Sequence, residues 1–224
     1  MATTTASVET FDPAEEWADD GVHEKAAEML RPILTPDMRT LVVGAGQGAF
    51  ENRLEREGIL PKKVVALDLR PDRYRGPRSV TCQQCDLSNV WDFDAGSFDL
   101  IIAVEIIEHL ANPRRLINEA ARILAPGGRL LLSTPNGSSL VQRLRFLFTG
   151  EFDYFSDLDF RGSGHQTPLF HWQLERWYRK RFALEAYDSY SFHLRIPLLG
   201  RMPMPKSMLW APNNTYMLKK HASD

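Results

Sequence analysis

The chain has 224 residues, 43% hydrophobic and 25% charged, with a formal net charge of -2 at pH 7. This suits a globular protein that buries a real core, and the length fits one α/β domain with additions better than two domains. The balance lacks the basic excess of a nucleic-acid binder, so no DNA partner is expected; no apolar run reaches the ~18–20 residues of a membrane-spanning helix.

Residues 1–20 carry no basic-then-apolar leader pattern and read as a flexible N-terminus, with residues 21–224 as the folded domain. The two cysteines, Cys82 and Cys85, are spaced CxxC without the second pair that a metal site needs. They read as reduced thiols, consistent with a cytoplasmic location. Nothing in the sequence speaks to the oligomeric state.

In chain order, Val22–Leu34 reads as an amphipathic helix with Ala26, Met29, Leu30, Ile33 and Leu34 on one side. Leu41–Val43 is a short buried strand running into Gly44, and Ala49–Arg56 is a helix stopped by Gly58. Val64–Leu67 is a second strand ending at Asp68, and Val80–Cys85 a weaker third. Phe98–Ala103 is a fourth, followed by a helix over Pro113–Leu124 and, after the Pro126-Gly127-Gly128 turn, a fifth strand over Arg129–Ser133. Strands apolar throughout and separated by helices predict a parallel sheet covered on both faces, a doubly wound α/β fold. Beyond Pro135 the rhythm breaks. Ser139–Thr149 reads as a helix, and Glu151–Gly164 is aromatic and acidic without a clear period. Trp172–Lys180 reads as a helix and Phe182–Tyr190 as a strand. Phe192–Pro212 reads as a loop or lid, and Asn214–Lys219 as a last, edge strand.

Three features sit at the carboxyl ends of successive strands. Gly44-Ala45-Gly46-Gln47-Gly48 joins the first strand to a helix, where a sharp turn and a close ligand leave no room for a Cβ. Asp68 ends the second strand, twenty residues after Gly48, where a carboxylate can accept both hydroxyls of a ribose. Asp86 follows the third strand and can meet an adenine edge. These features suit dinucleotide enzymes and methyltransferases alike. A dinucleotide oxidoreductase would want a catalytic tyrosine–lysine pair or a second catalytic domain, and neither is evident.

The run SFDLIIAVE over Ser97–Glu105, the triplet Glu108-His109-Leu110 and the run RILAPGGRLLLSTPN over Arg122–Asn136 resemble class I S-adenosylmethionine-dependent methyltransferases. The resemblance spans roughly residues 38–136. The Arg143–Gly150 segment and Gly164-His165-Gln166-Thr167-Pro168 are similar to the ubiquinone-biosynthesis O-methyltransferase-like group. The resemblance implies a Rossmann-like, mostly parallel seven-stranded sheet, with an insertion after strand five forming a substrate lid. It implies S-adenosyl-L-methionine as cofactor, with Gly44–Gly48 at the methionine moiety, Asp68 and Leu69 at the ribose, and Asp86 and Leu87 at the adenine. Val104 and Glu105 would then lie below the sulfonium. One departure stands out: Val42 occupies the position, two before Gly44, where many relatives carry an acid.

The expected reaction is O-methylation of a small-molecule, secondary-metabolite or glycan-type acceptor. An N-, C- or RNA-end acceptor and a non-catalytic accessory role are the alternatives. An oxygen acceptor must lose a proton, and His109 and His165 are the candidate bases, with His171 a possible partner. Glu105, the third candidate catalytic residue, forms with Glu108 and His109 an E-x-x-E-H cluster that on a helix would share one face and could hold a divalent ion, though a metal is not favoured. Segments 138–170 and 192–212 are expected to build the acceptor pocket. Phe146, Phe148, Phe152, Tyr154, Phe155 and Phe160 would supply an aromatic wall, and Arg143, Arg145 and Arg161 cations for an anionic group.

Overall fold

The computed structural model describes residues 20–162, 164–189, 193–196, 200–203 and 207–222. Residues 1–19 of the expected flexible N-terminus lie outside the described residues, and Asp20 already begins a helix.

The strands β1 (Arg39–Val43), β2 (Lys63–Asp68), β3 (Thr81–Gln84), β4 (Phe98–Ala103) and β5 (Leu124–Pro135) pair in parallel. Two further strands, β6 (Phe182–Ser189) and β9 (Asn213–Lys220), complete a seven-stranded sheet of order β3-β2-β1-β4-β5-β9-β6. The chain reverses its winding between β1 and β4, and that switch point is where a doubly wound sheet opens a crevice.

Apolar residues alternate between two cores. Leu41, Val43, Ile101, Leu130 and Leu132 face α3 (Pro113–Ile123) through Leu116, Ile117 and Ala120. Val42, Ala66, Leu100, Ile102 and Leu131 face α1 (Asp20–Leu30) and α2 (Ala49–Arg56) through Ala26, Leu30, Phe50 and Leu54. Continuous apolar strands are thus the signature of burial on both faces. Arg122 of α3 fastens the loop before β4: its guanidinium donates to the carbonyls of Trp91 (2.7 Å) and Phe93 (2.6 Å) and to Glu119 Oε2 (2.7 Å).

Three expectations are corrected. The C-terminal strand is not an edge. β9 runs antiparallel between β5 and β6, and β6 is the edge. Its residues 214–218 are all buried, which an edge strand with one solvated flank would not require. Second, the Pro126-Gly127-Gly128 turn falls inside β5: Phe98 pairs with Leu124 and Leu100 with Arg129, so the extra residues bulge out and Gly127 takes φ 75°. Third, the 192–212 stretch contains a hairpin, β7 (His193–Ile196) with β8 (Gly200–Pro203), and a turn from Ser207 that returns the chain to β9. Residues 192, 197–199 and 204–206 of that expected lid lie outside the described residues.

The insertion after β5 carries α4 (Leu140–Thr149), capped by Ser139, then α5 (Asp157–Gly162), which the aperiodic sequence did not announce, and α6 (His171–Tyr178). Asn136, at the end of β5 and buried, donates through Nδ2 to the carbonyls of Met208 (2.6 Å) and Ala211 (2.8 Å). This ties the returning segment to the insertion.

Candidate active site

A cleft of about 530 Å³ opens at the carboxyl ends of β1, β2 and β4, a volume in the range of small-molecule sites. Its first wall is the glycine turn. The N–H groups of Gly44 and Ala45 both donate to Leu67 O, at 2.8 and 3.1 Å, which locks the turn to the end of β2. Gly44 has φ +69°, and a Cβ there would lie 2.3 Å from Ile106 Cγ1. Gly46 has φ +54°, and a Cβ there would meet nothing within 4 Å among the described residues. Gly44 is thus required by packing, while Gly46 faces open space. Ala45 and Gln47 also line the cleft; Gly48 does not, and instead packs against Gly76 at the start of α2.

Asp68 closes the turn from below. Its Oδ2 accepts the Gly46 N–H at 2.8 Å and its Oδ1 the Arg70 N–H at 2.8 Å. Leu69 beside it is 60% exposed, apolar surface turned toward a cleft rather than into the core. Asp86 and Leu87 form the far wall, Asp86 accepting from Ser88 N–H (2.9 Å) and Asn89 Nδ2 (3.0 Å). The structure therefore brings the predicted cofactor residues, Gly48 apart, around one cavity with Val42, Val104, Glu105 and His109.

Cys82 and Cys85 are free cysteines; burial, with the charges of Asp68 and Glu51, pushes the Cys82 thiol up to about 11. Burial raises the Cys85 thiol as well, so both are held in the less reactive protonated form at neutral pH.

The segment after β4 departs from the predicted helix. Glu105 takes φ 50°, a left-handed value uncommon and strained for a non-glycine residue, and only Ile107–His109 form a short 3-10 turn. Glu105 is consequently not on one helical face with Glu108 and His109. Its N–H donates to Ser133 Oγ (3.0 Å), the Ser133 hydroxyl donates to Glu105 Oε1 (2.8 Å), and Asn213 Nδ2 donates to Oε2 (2.6 Å). Three contacts from β5 and β9 hold the strained residue.

His165 takes the place expected of Glu105. The rings of His109 and His165 lie 4.6 Å apart, edge to face, and ligand atoms of Glu108, His109 and His165 all lie within 4.8 Å of one another. Four hydrogen bonds assemble this group across the insertion. The N–H groups of Gln166 and Thr167 donate to Glu108 O at 3.0 Å, Gln166 Nε2 to His109 O (2.8 Å), and Thr167 Oγ1 to Leu110 O (3.1 Å). His165 Nδ1 donates to the Tyr154 carbonyl at 2.9 Å, so the neutral form of this imidazole carries its lone pair on Nε2. Glu108 is fully buried. Its Oε2 accepts from Thr134 Oγ1 (3.1 Å), and its Oε1 has no hydrogen-bond partner among the described residues. Burial first, then the nearby Glu105 charge, hold its carboxyl well above the usual carboxylate range.

His171 belongs elsewhere: it stacks on Tyr216 of β9 with centroids 5.7 Å apart. The aromatic residues of the insertion divide. Phe155 packs near His165 (5.5 Å), whereas Phe146, Phe152, Phe170 and Trp172 form a chain of ring contacts, and Phe148 is 80% exposed. Arg145 pairs with Asp153 at 3.7 Å rather than standing ready for an anion. Sequence reasoning missed Glu51, a buried carboxylate in the cleft wall; its spacing from Phe50 and Leu54, on the buried face of α2, was the available signal. Ser133, Thr134 and Asn213 had no such signal, because the first two act on the segment after β4 through β5 lying beside β4, and Asn213 through β9 lying beside β5.

The comparisons with known proteins agree with this arrangement. A family model described as a methyltransferase domain matches residues 14–185. Among curated proteins, the ubiquinone biosynthesis O-methyltransferase of Xanthomonas oryzae pv. oryzae (strain PXO99A) is 32% identical over 140 residues, covering 55% of this chain and 57% of that protein. That of Xanthomonas axonopodis pv. citri (strain 306) is 33% identical over the same span. The chain thus matches little more than half the length of these relatives. Among solved structures, a methyltransferase of unassigned role from Bacillus halodurans superposes with a TM-score of 0.64 at 18% identity, covering 88% of this chain and 98% of that one. A Thermotoga maritima protein, described as a SAM-dependent methyltransferase and possible histamine N-methyltransferase, gives 0.59 at 21%, covering 89% and 91%. At such identities these two show a shared fold. With a domain match over most of its length and the glycine-turn cleft at the switch point, the chain belongs to the class I S-adenosylmethionine-dependent methyltransferase family.

Proposed function

We propose that the chain transfers a methyl group from S-adenosylmethionine to a hydroxyl oxygen of a small acceptor. The observation that carries this reading is the continuity of one cleft from the Gly44–Gln47 turn and Asp68 to His109, with His165 against it. The residues fit such a donor. Gly46 leaves open space where a side chain would intrude, Asp68 and Asp86 stand at the ends of adjacent strands, and Leu69, Leu87 and Val104 supply apolar walls. When bound, the donor supplies an electrophilic methyl on a sulfonium, so the chain's own task is mainly alignment and removal of one proton.

In this reading Gly44–Gln47 hold the amino-acid end, Asp68 with Leu69 the ribose, and Asp86–Leu87 the base. Glu105, held by Ser133 and Asn213, fixes the backbone that follows β4. His165 is aimed by the Tyr154 carbonyl, so its Nε2 is the basic atom that draws the acceptor proton, with His109 packed against it. The insertion, residues 138–170, would contain the acceptor's binding surface through Phe155 and its neighbours. The curated relatives' names support an oxygen acceptor.

A cation-assisted form of the same reaction is favoured by one observation. A buried carboxylate oxygen of Glu108 without a donor among the described residues, beside two imidazoles, is a donor set suited to a divalent ion. Glu108, His109 and His165 would hold it, and it would lower the pKa of an acceptor hydroxyl.

The test is thermal shift with S-adenosylmethionine, S-adenosylhomocysteine and NAD on the wild type and Asp68→Ala. Stabilisation by the adenosyl compounds, lost in the variant, is expected; a response to NAD alone would overturn the reading. Labelled methyl transfer to a panel of phenols and alcohols, with His165→Ala and with a chelator, then separates the base from the cation-assisted form.

A further inference from the structure

Among the described residues four carboxylates line the cleft: Glu51, Asp68, Asp86 and Glu105. Three are engaged at both oxygens. Asp68 accepts from Gly46 and Arg70, Asp86 from Ser88 and Asn89, and Glu105 from Ser133 and Asn213. Glu51 differs. It sits on the first turn of α2 with 0% exposure; its carboxyl is met by its own backbone N–H and by a long contact from the Tyr74 hydroxyl to Oε1 (3.4 Å). Its Oε2 is buried without a hydrogen-bond partner among the described residues. A buried acceptor of that kind is unfavourable in isolation, and native folds keep few of them without a reason.

The wall around it explains what is missing. Val42, Phe50 and Ala66 belong to one apolar cluster, and the β1 residues that line the cleft, Val42 and Val43, are both apolar. Among the described residues no lysine or arginine is paired with Glu51. Burial, aided by the Asp68 charge and offset in part by its own N–H and the Tyr74 hydroxyl, pushes its carboxyl up to about 7, as expected of an acid whose counter-charge has not arrived. The donor itself carries such a counter-charge, an α-ammonium with three N–H donors.

We infer that Glu51 is the receptor for the α-ammonium group of the donor, supplying from α2 the carboxylate that Val42 cannot supply from β1. This rests on the reading that the cleft takes an adenosyl donor. It makes Glu51 a binding residue for the amino-acid end. Asp68 and Asp86 are left to the nucleoside.

Two ligands separate that role from a structural one. S-adenosylhomocysteine carries the ammonium; 5′-methylthioadenosine has the same nucleoside and lacks the amino-acid end. Calorimetric titration of wild type and Glu51→Gln, a substitution of equal shape, is expected to show at least a tenfold loss of affinity for S-adenosylhomocysteine. Affinity for 5′-methylthioadenosine should stay within twofold. Equal weakening for both ligands, or for neither, overturns the inference while leaving the methyltransferase reading intact. A wild type that binds neither compound overturns that reading as well. Glu51→Asp, which keeps the charge on a shorter stem, should recover part of the lost affinity; no recovery would also count against it.

Discussion

The two glycines of the turn should fail differently when given a methyl group. Gly44→Ala puts an L-residue at φ +69°, a left-handed value that costs about 1–2 kcal/mol. It also places a Cβ 2.3 Å from Ile106 Cγ1 and 2.5 Å from Cδ1, far inside contact distance. Overpacking of this kind costs about 1–3 kcal/mol more, so the total is roughly 2–5 kcal/mol. Gly46→Ala bears only the backbone part, about 1–2 kcal/mol, because its Cβ meets nothing within 4 Å. Thermal unfolding of the ligand-free protein, followed by circular dichroism, should place Gly44→Ala roughly 5–15 °C below wild type and Gly46→Ala only a few degrees below. Adenosyl-donor affinity should rank the two in the opposite sense relative to their stability loss, since the Gly46 methyl enters the cleft. In a double-mutant cycle, Ile106→Ala should restore part of the stability of Gly44→Ala, since both atoms of closest approach are removed. Equal melting temperatures for the two alanine variants, or no coupling between positions 44 and 106, would refute the reasoning.

Arg122→Ala strips three acceptors, the Trp91 and Phe93 carbonyls and the nearly buried Glu119, and should lower urea-unfolding stability by about 2–4 kcal/mol; a loss under 1 kcal/mol would show that water replaces it. Asn136→Asp turns a buried donor of two hydrogen bonds into a carboxylate facing the Met208 and Ala211 carbonyls. It should destabilise by about 3 kcal/mol or more at pH 7, and less near pH 4 where the acid is protonated; pH-independence would contradict the geometry. Glu51 sets a pH dependence of its own. Its folded pKa is raised to about 7, so the folded state binds more protons than the unfolded one between about pH 4.5 and 7. Stability should fall as pH rises through that window, by at most about 3 kcal/mol, and level off above it. Glu51→Gln should flatten this slope in denaturant titrations at pH 5 and pH 8; an unchanged slope would assign it to other groups.

The parts of the fold legible in the sequence are those whose signal is local. Leu41–Val43, Val64–Leu67 and Phe98–Ala103 declared buried parallel strands by being apolar throughout, and α2 runs over the residues that Gly58 was expected to stop. Asp68 was legible because a strand, a glycine turn and the chain distance between them fix its place. What the sequence withheld is set by partners distant along the chain. Asn214–Lys219 alternates no more clearly than an edge strand would, and only its pairing with both β5 and β6 makes it interior. The letters Glu105, Glu108 and His109 suggested one helical face, but the left-handed Glu105 turns its carboxylate to Ser133 and Asn213 and leaves its expected position to His165. Glu51 went unnoticed in the sequence, because its full burial beside the Val42 row shows only once the sheet is formed.

The order of the last two strands bears on how the molecule is made. During synthesis β6 emerges first but has no neighbour to hydrogen-bond, since its place beside β5 is reserved for β9, which follows only after residues 190–212. Until that strand arrives, β5 presents an open flank of unpaired amides and apolar side chains. Nascent chains stalled before Asn213 should therefore be the aggregation-prone species, and chaperone dependence should drop sharply once β9 has cleared the ribosome.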